Sequence, residues 1–370
     1  MTKIDKVELH EFQFQATNLG LSANTNSIGG LSFEKGAKTP ITKYAVEIFT
    51  EDGCKGSYVL NWGASPSVFG QMQMLAPMLI GCEAEQRTGI FENLKREARQ
   101  FDHMGHGPLD IALWDLKSKY REEPLWQTLG GVSGKKVEAY NTDGGWLNFS
   151  QDMLVDDVKR LTQEEGYKSI KMKVGKPDPS EDIARIEAVR KALGEDVRIM
   201  TDANGRWRIP QNIETLSCLK DYDVTWIEEP LWHDDVAGHC RLAEIIETPI
   251  ALGEMLYSLA HFNEFISSGG VKYVQPDATR LGGITEALDV CDLAYEHELP
   301  VTPHAGDMAQ TQIHMSIAHQ SIELLEFIPW ITHCFEEPLK INSGYFEHPQ
   351  MPGAGTTIKN ECMQEFGRKV

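Results

Sequence analysis

From Ile4 to Val59 apolar and polar positions alternate over short stretches, as in Lys6-Val7-Glu8-Leu9 and Lys43-Tyr44-Ala45-Val46-Glu47-Ile48. A period of two is the pattern of antiparallel strands. Between those stretches, residues 17–41 are rich in Gly, Ser, Asn and Thr and read as a long loop, either a functional lid or a disordered segment. Residues 84–122 change to helical period, with Leu109, Ala112, Leu113, Leu116 and Tyr120 on one face. The first 125 residues therefore predict a small α+β domain.

After Leu129-Gly130-Gly131 short β-branched or apolar runs, each ending in a polar residue, alternate with stretches of helical period. The runs are 137–141, 169–174, 197–204, 224–230, 248–254, 271–278, 300–305 and 324–328. Eight strands alternating with helices predict a barrel with its active site at the carboxyl ends of the strands. An open doubly wound sheet would want a Gly-rich phosphate turn after its first strand, and none is present. Residues 329–370 read as a loop-rich tail with a strand candidate at Gly355-Thr356-Thr357-Ile358.

Composition narrows the function. Of 370 residues, 35 are Lys or Arg and 55 are Asp or Glu, a net charge of -20 that repels nucleic-acid phosphates and anionic membranes. An apolar fraction of 41% with 24% charged residues is that of a globular chain, not a disordered one. The seven cysteines contain no Cys-x-x-Cys pair and read as reduced thiols. The amino terminus lacks an apolar run of signal-peptide length, and no long apolar stretch occurs, so a cytoplasmic location is expected.

Chemistry gathers at the strand ends. Asp202, Glu228 and Glu254 end the third, fourth and fifth barrel strands. Any one of them could simply cap a helix, but three carboxylates facing one mouth repel one another unless a cation sits between them. An oxygen-only ligand set favours Mg2+ over Mn2+ or Ca2+. Lys171 and Lys173 end the second strand two residues apart, which points both ammonium groups the same way. Side by side, two such cations are expected to depress each other's pKa and create a usable base. Asp277 and His304 end the sixth and seventh strands, within reach as a carboxylate–imidazole pair. Glu326 ends the eighth and, if protonated, could donate to an oxyanion.

Together Lys171-Met172-Lys173, Asp202-Ala203-Asn204, Trp226-Ile227-Glu228-Glu229-Pro230, Gly253-Glu254, Gln275-Pro276-Asp277 with Gly282-Gly283, Pro303-His304, Glu326 and the segment 104–116 resemble the enolase superfamily, mandelate racemase subgroup. That resemblance spans almost the whole chain. It implies an α/β architecture, a modified TIM barrel (β/α)7β over residues 126–328. An α+β capping domain, residues 1–125, is joined by the carboxyl-terminal segment 329–370. It implies that Asp202, Glu228 and Glu254 bind Mg2+, which stabilises an enediolate formed by removal of the α-proton of a carboxylate. Lys173 becomes the base on one face with Lys171 beside it, the Asp277–His304 dyad acts on the other, and Glu326 bonds the enediolate oxygen. Such chemistry is the superfamily's known pattern.

Two opposed bases allow a carbon–oxygen lyase, dehydrating an acid sugar (aldonate or aldarate) to a 2-keto-3-deoxy acid, or a racemase or epimerase of a 2-hydroxy acid. The Asn-, Thr- and Ser-rich lid favours a polyhydroxylated substrate. Asn204, Arg206, His233 and Trp62 are the expected substrate contacts, with His103, His106, Asn141, Asp143, Trp146 and Trp232 as further candidates near the mouth. A cycloisomerase fits less well because its lysines usually stand on opposite strands. A non-catalytic paralogue would show erosion of the ring, yet every position is filled. A homo-oligomer is implied by the resemblance, with no nucleic-acid or membrane partner.

Overall fold

The computed structural model describes residues 1–22, 30–61, 65–100, 103–362 and 368–369. Strands β1 (Ile4–Leu21) and β2 (Leu31–Thr50) form one long antiparallel hairpin, with Glu8 opposite Glu47 and Leu21 opposite Leu31. Much of the expected 17–41 loop is therefore strand. Phe12, Phe14 and Ala16 face inward while Gln13, Gln15 and Thr17 face out. A β-bulge between Thr17 and Leu19 breaks the alternation, with Asn18 at φ 61° and its Oδ1 accepting from Gly36 N at 2.9 Å. The bulge and the polar outer face are what made the stretch read as loop. Residues 23–29 lie outside the described residues.

Strand β3 (Lys55–Val59) pairs with β2, and a short strand at Arg368–Lys369 returns to pair with the other edge of β1. Against this sheet lies a long helix, His106–Tyr120. It approaches so closely that a Cβ on Gly56 would stand 2.2 Å from the carbonyl of Ala112, so only glycine fits. Asp115 on that helix accepts from Ser57 N at 2.7 Å and from Ala354 N at 2.6 Å and pairs with Lys119. One buried carboxylate thus ties the sheet and the carboxyl-terminal segment to the helix. The expected strand at 355–358 is reduced to a single bridge between Phe335 and Ile358.

The second sheet carries parallel strands β4 (Glu138–Asn141), β5 (Ser169–Lys173), β6 (Arg198–Asp202), β7 (Val224–Glu228), β8 (Ile250–Leu252) and β9 (Tyr273–Val274) in sequence order. Strand β10 (Leu324–Phe327) pairs in parallel with β4. The expected seventh strand shrinks to one residue, Val301, bridging Val274 and Ile322. Prolines at 300 and 303 remove the N–H groups a longer ladder would need. Helices follow the strands, with side-chain caps at Ser150, Asp178, Asp235 and Ser258. Tyr140, Met200, Trp226, Ala251 and Leu324 fill the interior. Register across the neighbouring strands then puts Lys173 beside Asp202 and Asp202 beside Glu228. No described helix is long and apolar enough to cross a membrane.

The two sheets are joined through charge. Lys43 on β2 is fully buried and meets both oxygens of Asp307 at 2.8 and 2.7 Å, three residues after His304. Burial pulls the Lys43 ammonium below its usual pKa, although Asp307 opposes that fall. Removing one partner leaves the other charge buried and alone. Asp307→Ala should therefore lower the unfolding free energy by about 3–5 kcal/mol, and Lys43→Met with Asp307→Leu should recover most of it. Denaturant titration checks this, and a loss below about 1 kcal/mol in the single variant would contradict the role given to the pair.

Candidate active site

Ligand atoms of Asp202, Glu228 and Glu254 lie within 4.8 Å of one another, and all three side chains are buried. The backbone there is unusual. Asn204 and Glu229, just past two of the strands, adopt φ of 45° and 40°, a left-handed conformation rare for such residues. Gly205 N donates to Glu229 O at 2.7 Å and Glu229 N to Ala251 O at 3.0 Å, which hold those turns. Before Glu254, Gly253 sits at φ 149°, where a Cβ would approach the carbonyl of Gln275 to 2.5 Å.

Cations and amides surround the carboxylates. Lys171 Nζ lies 2.5 Å from Glu228, 3.3 Å from Glu326 and 3.5 Å from Asp202. Burial works against its charge, but Glu228 and Glu326 outweigh it, so Lys171 is held well above its ordinary pKa. This corrects the depression expected for Lys171: carboxylates, not the neighbouring ammonium, dominate its surroundings. Lys173 Nζ donates to Asp202 at 2.6 Å and Asn204 Oδ1 at 3.1 Å. Burial opposes ionisation of Asp202, yet Lys173 and Lys171 hold its carboxyl below the usual range. Glu228 goes the other way, pushed up to about 7 by burial despite Lys171. Gln275 Nε2 donates to it at 2.7 Å.

On the far side, His304 Nδ1 lies 2.8 Å from Asp277 Oδ2. Its Nε2 lies 3.2 Å from Glu254 and 3.5 Å from Glu326. Burial disfavours the imidazolium, but Glu254 and Glu326 outweigh it and raise His304 to about 9. Asn61 and Gln312 donate to Asp277 at 2.9 and 3.1 Å, and Thr279 N donates at 2.8 Å. Glu326 accepts from Ala305 N and Gly306 N, both at 2.9 Å, and from Thr142 Oγ1 at 2.9 Å. Burial raises its pKa, but Lys171, His304 and those amides together depress it strongly. Glu326 is therefore a carboxylate here and not the protonated donor the sequence allowed.

Lys173, Asn204, Glu254, His304 and Glu326 line one cavity of about 80 Å3. Arg206 and His233 do not line it: Arg206 packs on Gly175, and the His233 ring leans on Trp232 at 4.9 Å. Trp62 lies outside the described residues, as does the His103 side chain, whereas His106 is buried against Phe91. Sequence reasoning missed Arg280, which is buried and bonds both the carbonyl of Glu254 at 2.9 Å and its Oε1 at 3.1 Å. Its place three residues after Asp277, on the same turn, was the available signal. Thr142, Gln312 and Trp330 carried none.

Residues 153–362 match the family model described as enolase C-terminal domain-like, and residues 37–130 match the mandelate racemase / muconate lactonizing enzyme N-terminal domain. The L-talarate/galactarate dehydratase of Salmonella typhimurium is 33% identical, over 90% of this chain and 87% of its own. The arabinonate dehydratase of Saccharolobus solfataricus is 31% identical, over 89% of this chain and 92% of its own. Among solved structures, an L-talarate dehydratase from Polaromonas sp. JS666, complexed with Mg and L-glucarate, superposes with a TM-score of 0.88. It is 31% identical, covering 100% of this chain and 99% of that one. With both family models matched in order, the chain belongs to the mandelate racemase / muconate lactonizing enzyme family of the enolase superfamily.

Proposed function

We propose that the protein is a Mg2+-dependent hydro-lyase that dehydrates an acid sugar, an aldonate or aldarate, to its 2-keto-3-deoxy acid. One observation carries this reading: Lys173 from the second barrel strand and His304, backed by Asp277, line the same small cavity beside Glu254. Relatives named as acid-sugar dehydratases support it.

Asp202, Glu228 and Glu254 are the residues that would hold Mg2+, because an all-oxygen set of buried carboxylates this close suits a hard dication. When bound, the ion supplies the positive charge without which the α-proton of a carboxylate is too weakly acidic for any side-chain base. Lys173, held at the cavity by Asp202 and Asn204, is the base that takes that proton at Nζ. Lys171 remains an ammonium and keeps a fixed positive charge beside the growing enediolate. The imidazolium of His304, oriented through Nδ1 by Asp277, gives its Nε2 proton to the β-hydroxyl, so the C–O bond breaks and water leaves. Tautomerisation of the resulting enol yields the 2-keto acid. Glu326 lines the same cavity and, through Ala305 N and Gly306 N, holds the loop that carries His304. Asn204 positions Lys173; Arg206 and His233, which do not line the small cavity, have no part in this step, and the expectation for Trp62 lies outside the described residues. The division into a cap, residues 1–125 with 329–370, and a barrel, 126–328, is part of the same proposal.

A second reading, epimerisation, is favoured by the same two bases: His304 would return a proton to the α-carbon instead of protonating a leaving group. The products separate them. Glu228→Gln should weaken Mg2+ binding in calorimetry by at least about tenfold and lower turnover by about 10^3-fold or more. Full activity in that variant would remove the triad from the mechanism. His304→Asn should stop formation of the keto acid while Lys173 still exchanges the α-proton, read by proton NMR in D2O. Loss of exchange as well would make His304 the initiating base.

A further inference from the structure

Trp146, Ile328 and Trp330 line the catalytic cavity. Beyond lies a larger cavity, about 710 Å3, between the barrel mouth and the β1–β2 hairpin, and Trp146 and Trp330 line it too. These indoles stack in parallel, 6.4 Å apart and 10° from coplanar. Asp143 fixes both: Trp146 Nε1 donates to its carbonyl at 2.8 Å, and Trp330 Nε1 to its carboxylate at 2.5 Å. Thr142, the preceding residue, bonds Glu326, so the aromatic wall is built on the segment that also holds the catalytic ring.

The charges along this path are unevenly committed. In the inner cavity Lys173 is paired with Asp202, Arg280 with Glu254, and His304 with Asp277. In the outer cavity Asp143 and Asp157 face one guanidinium, Arg160, which already pairs with Asp157 at 2.8 Å and with Glu165. His333 there is in contact with Cys334 Sγ at 3.4 Å. Burial pushes the Asp143 carboxyl up to about 7, a sign that no cation compensates it well.

We infer that the substrate is a monocarboxylic polyhydroxy acid, an aldonate, whose uncharged far end meets the Trp146–Trp330 wall and Asp143. The inference rests on the dehydratase reading and narrows it. A hydroxyl group can donate to Asp143, and the carbon chain packs on the indole faces. A second carboxylate, as in an aldarate, would face Asp157 and Asp143, where Arg160 is already paired with Asp157 and Glu165. Negative charge added beside Asp157, and beside Asp143 where it is ionised, disfavours the aldarate relative to the aldonate.

The test compares aldonates and aldarates of matched configuration with the Mg2+-loaded enzyme. It follows 2-keto-3-deoxy product and, in parallel, α-proton exchange in D2O. The expected result is a kcat/KM for an aldonate at least about tenfold above that of its matched aldarate. In Asp143→Asn, which keeps an acceptor for Trp330 but loses the charge, that ratio should narrow by about threefold or more. An aldarate used as well as its aldonate overturns this inference and leaves dehydration standing. A ratio unchanged by Asp143→Asn overturns the role of Asp143 in it. Neither product nor exchange from any acid in the set overturns the dehydratase reading itself.

Discussion

Mutual repulsion among three buried carboxylates is the constraint on which the site depends. Asp202, Glu228 and Glu254 are brought within a few ångströms by strands in register, and burial makes their charge costly. Each neighbour can be read as part of the answer to that cost. Lys171 stands beneath Glu228, Lys173 beside Asp202, and Arg280 and His304 on either side of Glu254. Even so, Glu228 is left with a strongly raised pKa, the residual demand for positive charge that a divalent ion would meet. In a low-dielectric mouth the same arrangement serves catalysis, because groups fixed in advance need not reorganise when charge develops on the substrate.

The cap takes part in this electrostatic scheme and does not merely cover it. Asn61, just past β3, donates to Asp277, and Asp277 orients His304. Lys43 from the hairpin neutralises Asp307 in the loop that follows His304. Glu326 binds the start of that loop through two amides. The imidazole is therefore set by groups from both sheets, which couples the placement of the hairpin to that of His304.

A second feature lies further out, where the barrel mouth meets the hairpin. Trp146 and Trp330 separate a small, charge-crowded cavity from a larger one, and Asp143 holds both rings. The titratable ring stands at the strand ends, while the aromatic wall is built from the segments after the first and last barrel strands.

Much of this was legible in the amino-acid order. Alternating apolar runs that end in acids located the barrel strands, and the two-residue step from Lys171 to Lys173 placed both ammonium groups in one site. Those features are local, governed by backbone period. The long hairpin was not legible: a polar outer face and the bulge at Asn18 imitate loop composition, and only pairing with a distant strand makes them strand. Nor was the seventh strand's reduction to Val301, since ladder length depends on neighbours. Chemical state lay deepest. Whether Lys171 is lowered or raised, and whether Glu326 is acid or carboxylate, follows from which charges and amides converge on each group in space. Sequence determined which groups stand at the strand ends; tertiary structure alone decided their ionisation and the aromatic wall beside them, because electrostatic energy depends on distance and burial rather than on order along the chain.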